Sequence, residues 1–119
     1  MSLLDSVKAL FSPSPPSVAP LRQADGPAAP VLDALRGVID PELGVDIVSL
    51  GLVRGIELDQ DLARVRMVLT TPGCPVAHLL VEQIAQEVGL LGYQAEVVVE
   101  EDPPWRPEDM DEEAREVLG

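Results

Sequence analysis

Apolar residues recur along the chain with two different periods. Over residues 31–39 and again over 76–90 they repeat about every 3.6 positions, which predicts two amphipathic helices. The first helix is expected to begin near Pro30, a residue suited to a first turn, and to end before Pro41. The second helix is longer and is expected to bury one apolar stripe, made of Ala77, Leu80, Val81, Ile84, Val88 and Leu91.

A period of two residues predicts the strands. Apolar and polar side chains alternate over residues 52–58 and 62–70, and the turn formers at 59–61 join these segments into a β-hairpin. The segment 95–100, Ala-Glu-Val-Val-Val-Glu, predicts a third strand, and the prolines that follow it cannot continue a ladder because proline has no N–H donor.

A last short helix is predicted from Glu112 to Leu118, with Asp111 as its N-cap. The expected order is therefore helix, strand, strand, helix, strand, helix. This order indicates an α/β (α+β) fold in which a small three-stranded sheet, containing the hairpin, packs against helices.

The N-terminal region has a different composition. Six of the twelve prolines lie within the first thirty residues, so residues 12–29 are predicted to be a linker without fixed structure. Ahead of it, Ser2 could cap a short helix over residues 3–11, serving either as a frayed tail, which is favoured, or as a partner-docking peptide. We therefore divide the chain into residues 1–29 and a folded domain over 30–119.

Composition narrows the class of protein. A chain of 119 residues with 46% hydrophobic content suits one small domain. Eight basic and 21 acidic residues give a net charge of -13, which argues against a nucleic-acid partner because phosphate binding needs cationic side chains. The single cysteine makes no intramolecular disulfide, and the N-terminus has no signal or membrane-spanning pattern, so we expect a cytoplasmic protein with no membrane contact.

That cysteine, Cys74, is the strongest candidate for chemistry. It stands between Gly73 and Pro75, where a turn leads into the start of a helix, and the helix dipole there favours a thiolate that binds metal or attacks an electrophile. The structural alternative is a buried cysteine that acts as a small apolar residue. His78 is one helical turn further on and is a weak candidate for a shared metal or a Cys–His pair, although Glu82 offers it an ordinary ion pair.

Carboxylates cluster in the first ordered loop, at Asp40, Glu42 and Asp46. Such groups serve as acids, bases or oxygen ligands to iron. Aspartates in loops more often cap turns and short helices, and spacing alone favours that role for Asp40 and Asp46.

Three sequence motifs, which follow one another along the chain, carry more information about function than residue spacing alone. They are Asp40-Pro41-Glu42-Leu43-Gly44 with the following Asp46-Ile47-Val48-Ser49-Leu50-Gly51-Leu52-Val53, then Thr70-Thr71-Pro72-Gly73-Cys74-Pro75, then Asp102-Pro103-Pro104-Trp105 with Met110-Asp111-Glu112-Glu113-Ala114-Arg115. In this order they resemble the SufT/PaaD-like proteins of iron-sulfur cluster assembly, relatives of the targeting subunit of the eukaryotic cytosolic machinery. The resemblance covers about residues 30–119.

The resemblance implies a compact α/β domain that takes part in maturing iron-sulfur proteins. It places the family's proposed site on Asp40, Glu42, Leu43, Thr70, Thr71 and Cys74. The resemblance thus implies that the carboxylates of Asp40 and Glu42 have a role at the site in addition to capping. The PaaD branch carries further cysteines near its C-terminus, and this chain has one cysteine in all, so a SufT-like factor fits better.

The leading hypothesis is therefore an assembly or transfer factor without classical turnover. In it the Cys74 thiolate transiently binds iron or an iron-sulfur cluster, and the partners are scaffold or client proteins. One thiolate cannot supply the four ligands of a cluster, so a homodimer, a partner or glutathione supplies the rest, or the protein is an adaptor.

Two other classes stay open. One is a cysteine-dependent enzyme in which His78 or Glu42 is the base, although the sequence offers no clear third group to orient the pair. The other is a pure interaction module in which Cys74 is structural and the N-terminal helix or the acidic C-terminal segment makes the contacts.

Overall fold

The computed structural model describes residues 19–71 and 75–118. Its element order confirms the predicted α+β fold, with one additional 3₁₀ turn before the last helix. The predicted helix over residues 3–11 and the first part of the predicted linker lie outside the described residues. The elements are α1 (Ala28–Leu35), β1 (Val53–Asp59), β2 (Leu62–Val68), α2 (Ala77–Leu90), β3 (Gln94–Glu100), a 3₁₀ helix (Pro107–Asp109) and α3 (Glu112–Leu118).

The three strands form one mixed sheet with β2 in the centre. Strands β1 and β2 pair antiparallel as the predicted hairpin, while β2 and β3 pair parallel because α2 serves as the crossover between them. On β2 the alternating residues Ala63, Val65 and Met67 are fully buried, so this face of the sheet meets the core.

Helix α1 is shorter than its apolar pattern predicts. It ends at Leu35, and the N–H groups of Arg36, Gly37 and Val38 donate to carbonyls three residues earlier, which tightens the last turn. The chain then extends, and Ile39 forms an isolated bridge with Asp46. The helical pattern predicted over residues 31–39 therefore ends four residues early, and Val38 is buried from the tightened turn and not from a further helical turn.

The segment before α1 is packed against the domain. The N–H of Leu21 donates to the carbonyl of Val53 at 2.8 Å, and its side chain packs on the core. The Arg36 guanidinium donates to the carbonyl of Arg22 at 2.8 Å. The prediction of a linker without fixed structure is therefore wrong for residues 21–29, because these long-range contacts outweigh a composition rich in proline and alanine.

Helix α2 buries the centre of its predicted stripe. Leu80, Ile84 and Val88 are buried against the core, whereas Ala77 and Val81 are half-buried. Leu91 is 43% exposed because it is the C-cap residue, where the helical periodicity no longer sets the side-chain direction. Among the helices of the described ranges none is both long and apolar enough to cross a membrane.

The C-terminal segment is bound to the loop between Asp46 and β1. The indole Nε1 of Trp105 donates to the carbonyl of Leu50 at 2.7 Å, and the N–H of Asp111 donates to the carbonyl of Ser49 at 2.8 Å. Asp111 Oδ1 in turn accepts from the N–H of Ala114 at 2.8 Å, so Asp111 caps α3 as predicted. These bonds fix the course of the chain after β3.

Replacing Trp105 with phenylalanine is expected to lower the free energy of unfolding by about 1–2 kcal/mol, because the carbonyl of the buried Leu50 loses its indole donor. Equilibrium urea unfolding measures this change. Tyr93→Phe is the control: the Tyr93 hydroxyl makes no hydrogen bond within the described residues, so we expect a change below about 0.5 kcal/mol. Equal losses in the two variants would contradict a role for the indole N–H.

Candidate functional site

The loop after α1 is closed around the buried carboxylate of Asp40. This side chain is only 2% exposed, and its Oδ1 accepts from the N–H groups of Glu42 at 2.8 Å and Leu43 at 3.2 Å. Its own N–H donates to the carbonyl of Val45 at 3.0 Å, and its carbonyl accepts from Gly44 at 2.7 Å. Asp40 thus caps a tight turn and fixes the backbone that carries Glu42 and Leu43.

Asp46 has the same role one turn later in the loop. Its Oδ2 accepts from the N–H groups of Val48 at 3.1 Å and Ser49 at 3.0 Å. The capping role that spacing favoured for the two aspartates is therefore confirmed. The structure adds that Asp40 is the more deeply buried of the two, since Asp46 is half-buried.

The Asp40 turn lies beside the first turns of α2. Leu43 packs its half-buried side chain on the core, and Glu42 is exposed at the surface of the turn. Pro41 lines an open cavity of about 260 Å³ together with Leu79 and Leu80 of α2. The shared cavity places the turn beside the helix that directly follows the cysteine segment.

The two threonines lie at the end of β2. Thr70 is half-buried and lines a small, mostly apolar cavity of about 80 Å³, whose other wall includes Trp105, Val99 and Glu100. Thr71 is exposed. Hydrogen bonds of the described residues join Asp40 to Glu42 and Leu43 but join neither threonine to that turn.

Cys74 lies outside the described residues, so its place beside the Asp40 turn stays a prediction. His78 is exposed in the first turn of α2, as its polar stripe predicted, and its pairing with Cys74 also stays a prediction. Within residues 19–71 and 75–118, no three His, Asp or Glu side chains form a group that could hold a metal ion.

Sequence reasoning overlooked the surroundings of the threonines. Trp105 entered only as part of a motif, whereas the structure places it against Leu50 and in the cavity that Thr70 lines. The available signal was a lone tryptophan in a proline-rich segment of a chain with only 3% aromatic residues. Such a large side chain is costly to leave in water and indicates a docking contact.

The fold and these motifs define a class of protein, and the family comparison agrees with it. The model of the family described as "Iron-sulfur cluster assembly protein" matches residues 28–100, more than half of the chain. The chain therefore belongs to this family, and the predicted role in iron-sulfur cluster assembly or transfer is confirmed at the level of the family.

Individual relatives have names that refer to the maturation of iron-sulfur proteins. The chain is 40% identical over 92 residues to the Fe-S protein maturation auxiliary factor YitW of Bacillus subtilis, covering 75% of this chain and 90% of that protein. It is 38% identical over 85 residues to the Fe-S protein maturation auxiliary factor SufT of Staphylococcus aureus, covering 69% and 97%. These names support the predicted resemblance to SufT.

Solved structures share the fold. A domain of unknown function from Bacillus anthracis superposes with a TM-score of 0.71 at 39% identity, over 75% of this chain and 88% of that one. A conserved hypothetical protein from Thermotoga maritima gives 0.63 at 40% identity, over 83% and 98%. These two structures are therefore similar to this chain in both sequence and fold.

Proposed function

We propose that this protein delivers iron or an iron-sulfur cluster to client proteins, with the Cys74 thiolate as the group that contacts the cargo. One observation carries the proposal: the family match over residues 28–100 spans both the Asp40 turn and the Thr70–Pro75 segment that contains Cys74. Cys74 follows the exposed Thr71 by three residues and precedes α2 by three, so the chain ties it to both.

The start of α2 supports a thiolate at this position. Its N-cap is Val76, which makes no side-chain capping hydrogen bond, and its first turn contains no acidic residue. The first backbone N–H groups of a helix lack intrahelical partners and carry a positive partial charge. A negative group in the preceding segment would complement this charge, and the thiolate is the form of cysteine that binds metal.

The Asp40 turn serves to position groups at the site more than to take part in the transfer chemistry. Asp40 is committed to two backbone N–H groups, whereas Glu42 holds an exposed carboxylate at the surface of the same turn. In this proposal Asp40 is a positioning residue, and Glu42, Thr70 and Thr71 shape the approach of cargo or partner by charge and hydrogen bonding.

The cargo and the partners follow from the chemistry of one thiolate. A cluster takes four ligands, so the remaining ligands come from a scaffold, a client protein, glutathione or a second copy of this chain. The relatives named as maturation factors support such partners. A further match is 52% identical over 46 residues to the iron-sulfur cluster carrier protein of Deinococcus radiodurans and covers 39% of this chain and 13% of that protein.

Complementation tests the role of Cys74. In a strain that lacks this protein and loses activity of an iron-sulfur enzyme, the wild-type chain should restore that activity, and Cys74→Ala should restore less than about a tenth of it. His78→Ala is the matched control, an exposed residue four positions along the chain, and should restore activity fully.

The outcomes separate the three classes of function. Full rescue by Cys74→Ala would show that the thiolate is dispensable and the protein is an adaptor. Loss of rescue in His78→Ala, together with a covalent adduct at Cys74 and turnover without a partner, would favour a cysteine-dependent enzyme. Anaerobic reconstitution with iron and sulfide then shows whether cargo uptake itself depends on Cys74.

A further inference from the structure

Strand β1 contains an irregularity at Arg54. Its pairing with β2 passes from Val53–Met67 directly to Gly55–Arg66, so Arg54 has no residue opposite it. A bulge of this kind bends the strand and redirects the side chain of the extra residue. The Arg54 side chain is as a result only 4% exposed, although arginine is rarely buried without a partner.

Two of the three guanidinium nitrogens of Arg54, Nε and Nη1, are buried and unbonded in the described part of the chain, and Nη2 is not among these buried atoms. The other arginines of the sheet differ: Arg64 pairs with Glu96 at 2.9 Å, and Arg66 pairs with Glu57 at 2.9 Å. Burying an unpaired charge is strongly unfavourable, so a cation kept in this state in a chain of net charge -13 indicates a missing anion.

Arg54 lines a cavity large enough for that anion. The cavity has a volume of about 330 Å³ and is also lined by Pro103, Pro104, Arg106 and Asp109. The carboxylate of Asp109 already accepts from the backbone N–H of Arg106 at 3.0 Å. Counting one unit of charge for each ionic side chain, two arginines against one aspartate leave the lining at +1.

A second arginine with one unbonded nitrogen lies near the same segment. Arg22 donates through Nη2 to the carbonyl of Asp109, while its Nη1 is buried without a hydrogen-bond partner among the described residues. Asp109 thus accepts from Arg22 through its carbonyl and lines the cavity together with Arg54 and Arg106. Three of the eight basic residues of the chain therefore lie close to Asp109.

We propose that this cavity binds a carboxylate, presented by an acidic peptide side chain or by a small organic acid. Guanidinium groups match the planar carboxylate, and a lining charge of +1 balances one negative charge, whereas a dianionic phosphate would leave the site and the acidic chain in excess negative charge. The rings of Pro103 and Pro104 offer apolar contact to the carbon atoms next to the carboxylate.

The carboxylate site is independent of the proposed transfer chemistry. None of the residues that line it is among the predicted site residues, and it shares only Pro104 with the small cavity beside Thr70. If Cys74→Ala kept full activity, the proposal of a carboxylate site would still stand. If no carboxylate bound, the Cys74 proposal would still stand.

Titration with sodium acetate at constant ionic strength tests the site, with the Nε–H resonance of Arg54 followed by NMR. We expect a saturable shift that sodium chloride does not produce. Two blocked tripeptides distinguish the source: one has a central aspartate and the other a central asparagine. Aspartate-peptide binding at least about tenfold tighter than acetate assigns a peptide carboxylate, and equal affinity assigns a small organic acid.

Variants identify the groups responsible. Arg106→Gln, at an exposed position, should weaken acetate binding about fivefold, and Arg54→Met should abolish it. Acetate should also raise the urea midpoint of the wild type but not that of Arg54→Met, and Arg64→Gln should behave as the wild type in both assays.

Three results would overturn the proposal. They are an acetate shift that stays linear, sulfate binding tighter than acetate, and equal binding of the asparagine peptide. Because Arg106 lies at the surface, its variant keeps the test decisive even where Arg54→Met fails to fold.

Discussion

Gly51→Ala is expected to lower the free energy of unfolding by about 3–5 kcal/mol, the largest loss we expect from adding a single methyl group. Gly51 is buried with φ at +80°, and a Cβ built there would lie 2.2 Å from the carbonyl oxygen of Asp109 and 2.8 Å from its carbonyl carbon. Backbone atoms cannot rotate away as a flexible side chain can, so the C-terminal segment would have to move. Equilibrium urea unfolding measures the loss.

Gly44→Ala is the matched control for this prediction. Gly44 also has a positive φ, +73°, but a Cβ there would meet nothing within 4 Å. Only the strain of the left-handed conformation remains, which costs roughly 1–2 kcal/mol. The difference between the two variants therefore measures the close approach of Gly51 to Asp109. Equal losses would show that conformation alone explains both positions.

The close contact at Gly51 shows how the family motif and the C-terminal segment depend on each other. The matched family region ends at residue 100, yet Trp105 and Asp111 bond to the carbonyls of Leu50 and Ser49 inside the first motif. The loop that follows the Asp40 turn is therefore held from outside the matched region. Removing the C-terminal segment should loosen the turn that carries Glu42 as well as the segment's own helix.

Local periodicity was sufficient to predict most of the fold. The hairpin, helix α2, strand β3 and the cap of α3 at Asp111 follow from patterns within a few residues of each element, and the structure has them within two residues of the prediction. The errors occurred where distant contacts decide. Leu21 is ordered by a bond to Val53, more than thirty positions away, and no local pattern reports that contact.

At the candidate site, too, local sequence predicts some features and distant contacts decide others. The capping bonds of Asp40 and Asp46 reach only two or three residues ahead, so turn chemistry predicted them. The burial of Arg54 depends on a one-residue shift of strand register, and the segment Leu52-Val53-Arg54-Gly55-Ile56 reads as an ordinary strand. A bulge is set by the partner strand and by packing on both sides, so sequence periodicity did not locate it.

Gly55, next to that bulge, lies where ionic contacts join the strands of the sheet. A Cβ at Gly55 would overlap the guanidinium of Arg66, which lies across this position to reach Glu57 at 2.9 Å and Glu100 at 3.4 Å. Partial burial alone lowers the pKa of Arg66, and the two carboxylates outweigh it, so its pKa is raised above the usual value. The side chain thus stays charged and joins all three strands.

Asp40→Ala is expected to lower the free energy of unfolding by about 2–4 kcal/mol, because the N–H groups of Glu42 and Leu43 lose the acceptor that holds the buried turn. Asp40→Asn keeps a side-chain oxygen at the same place and should lose less than about 1 kcal/mol. If Asp40 is a positioning residue, the asparagine variant should also restore at least half of the client-enzyme activity in the complementation assay.

Asp46 provides the matched control, since its carboxylate also accepts from two backbone N–H groups but lies outside the predicted site. Asp46→Asn should resemble Asp40→Asn in both stability and rescue. A decisive contrary result would be an Asp40→Asn protein as stable as the wild type that fails to restore activity while Asp46→Asn restores it. The charge of Asp40 would then take part in the transfer step, because the turn would be intact and only the carboxylate would have been lost.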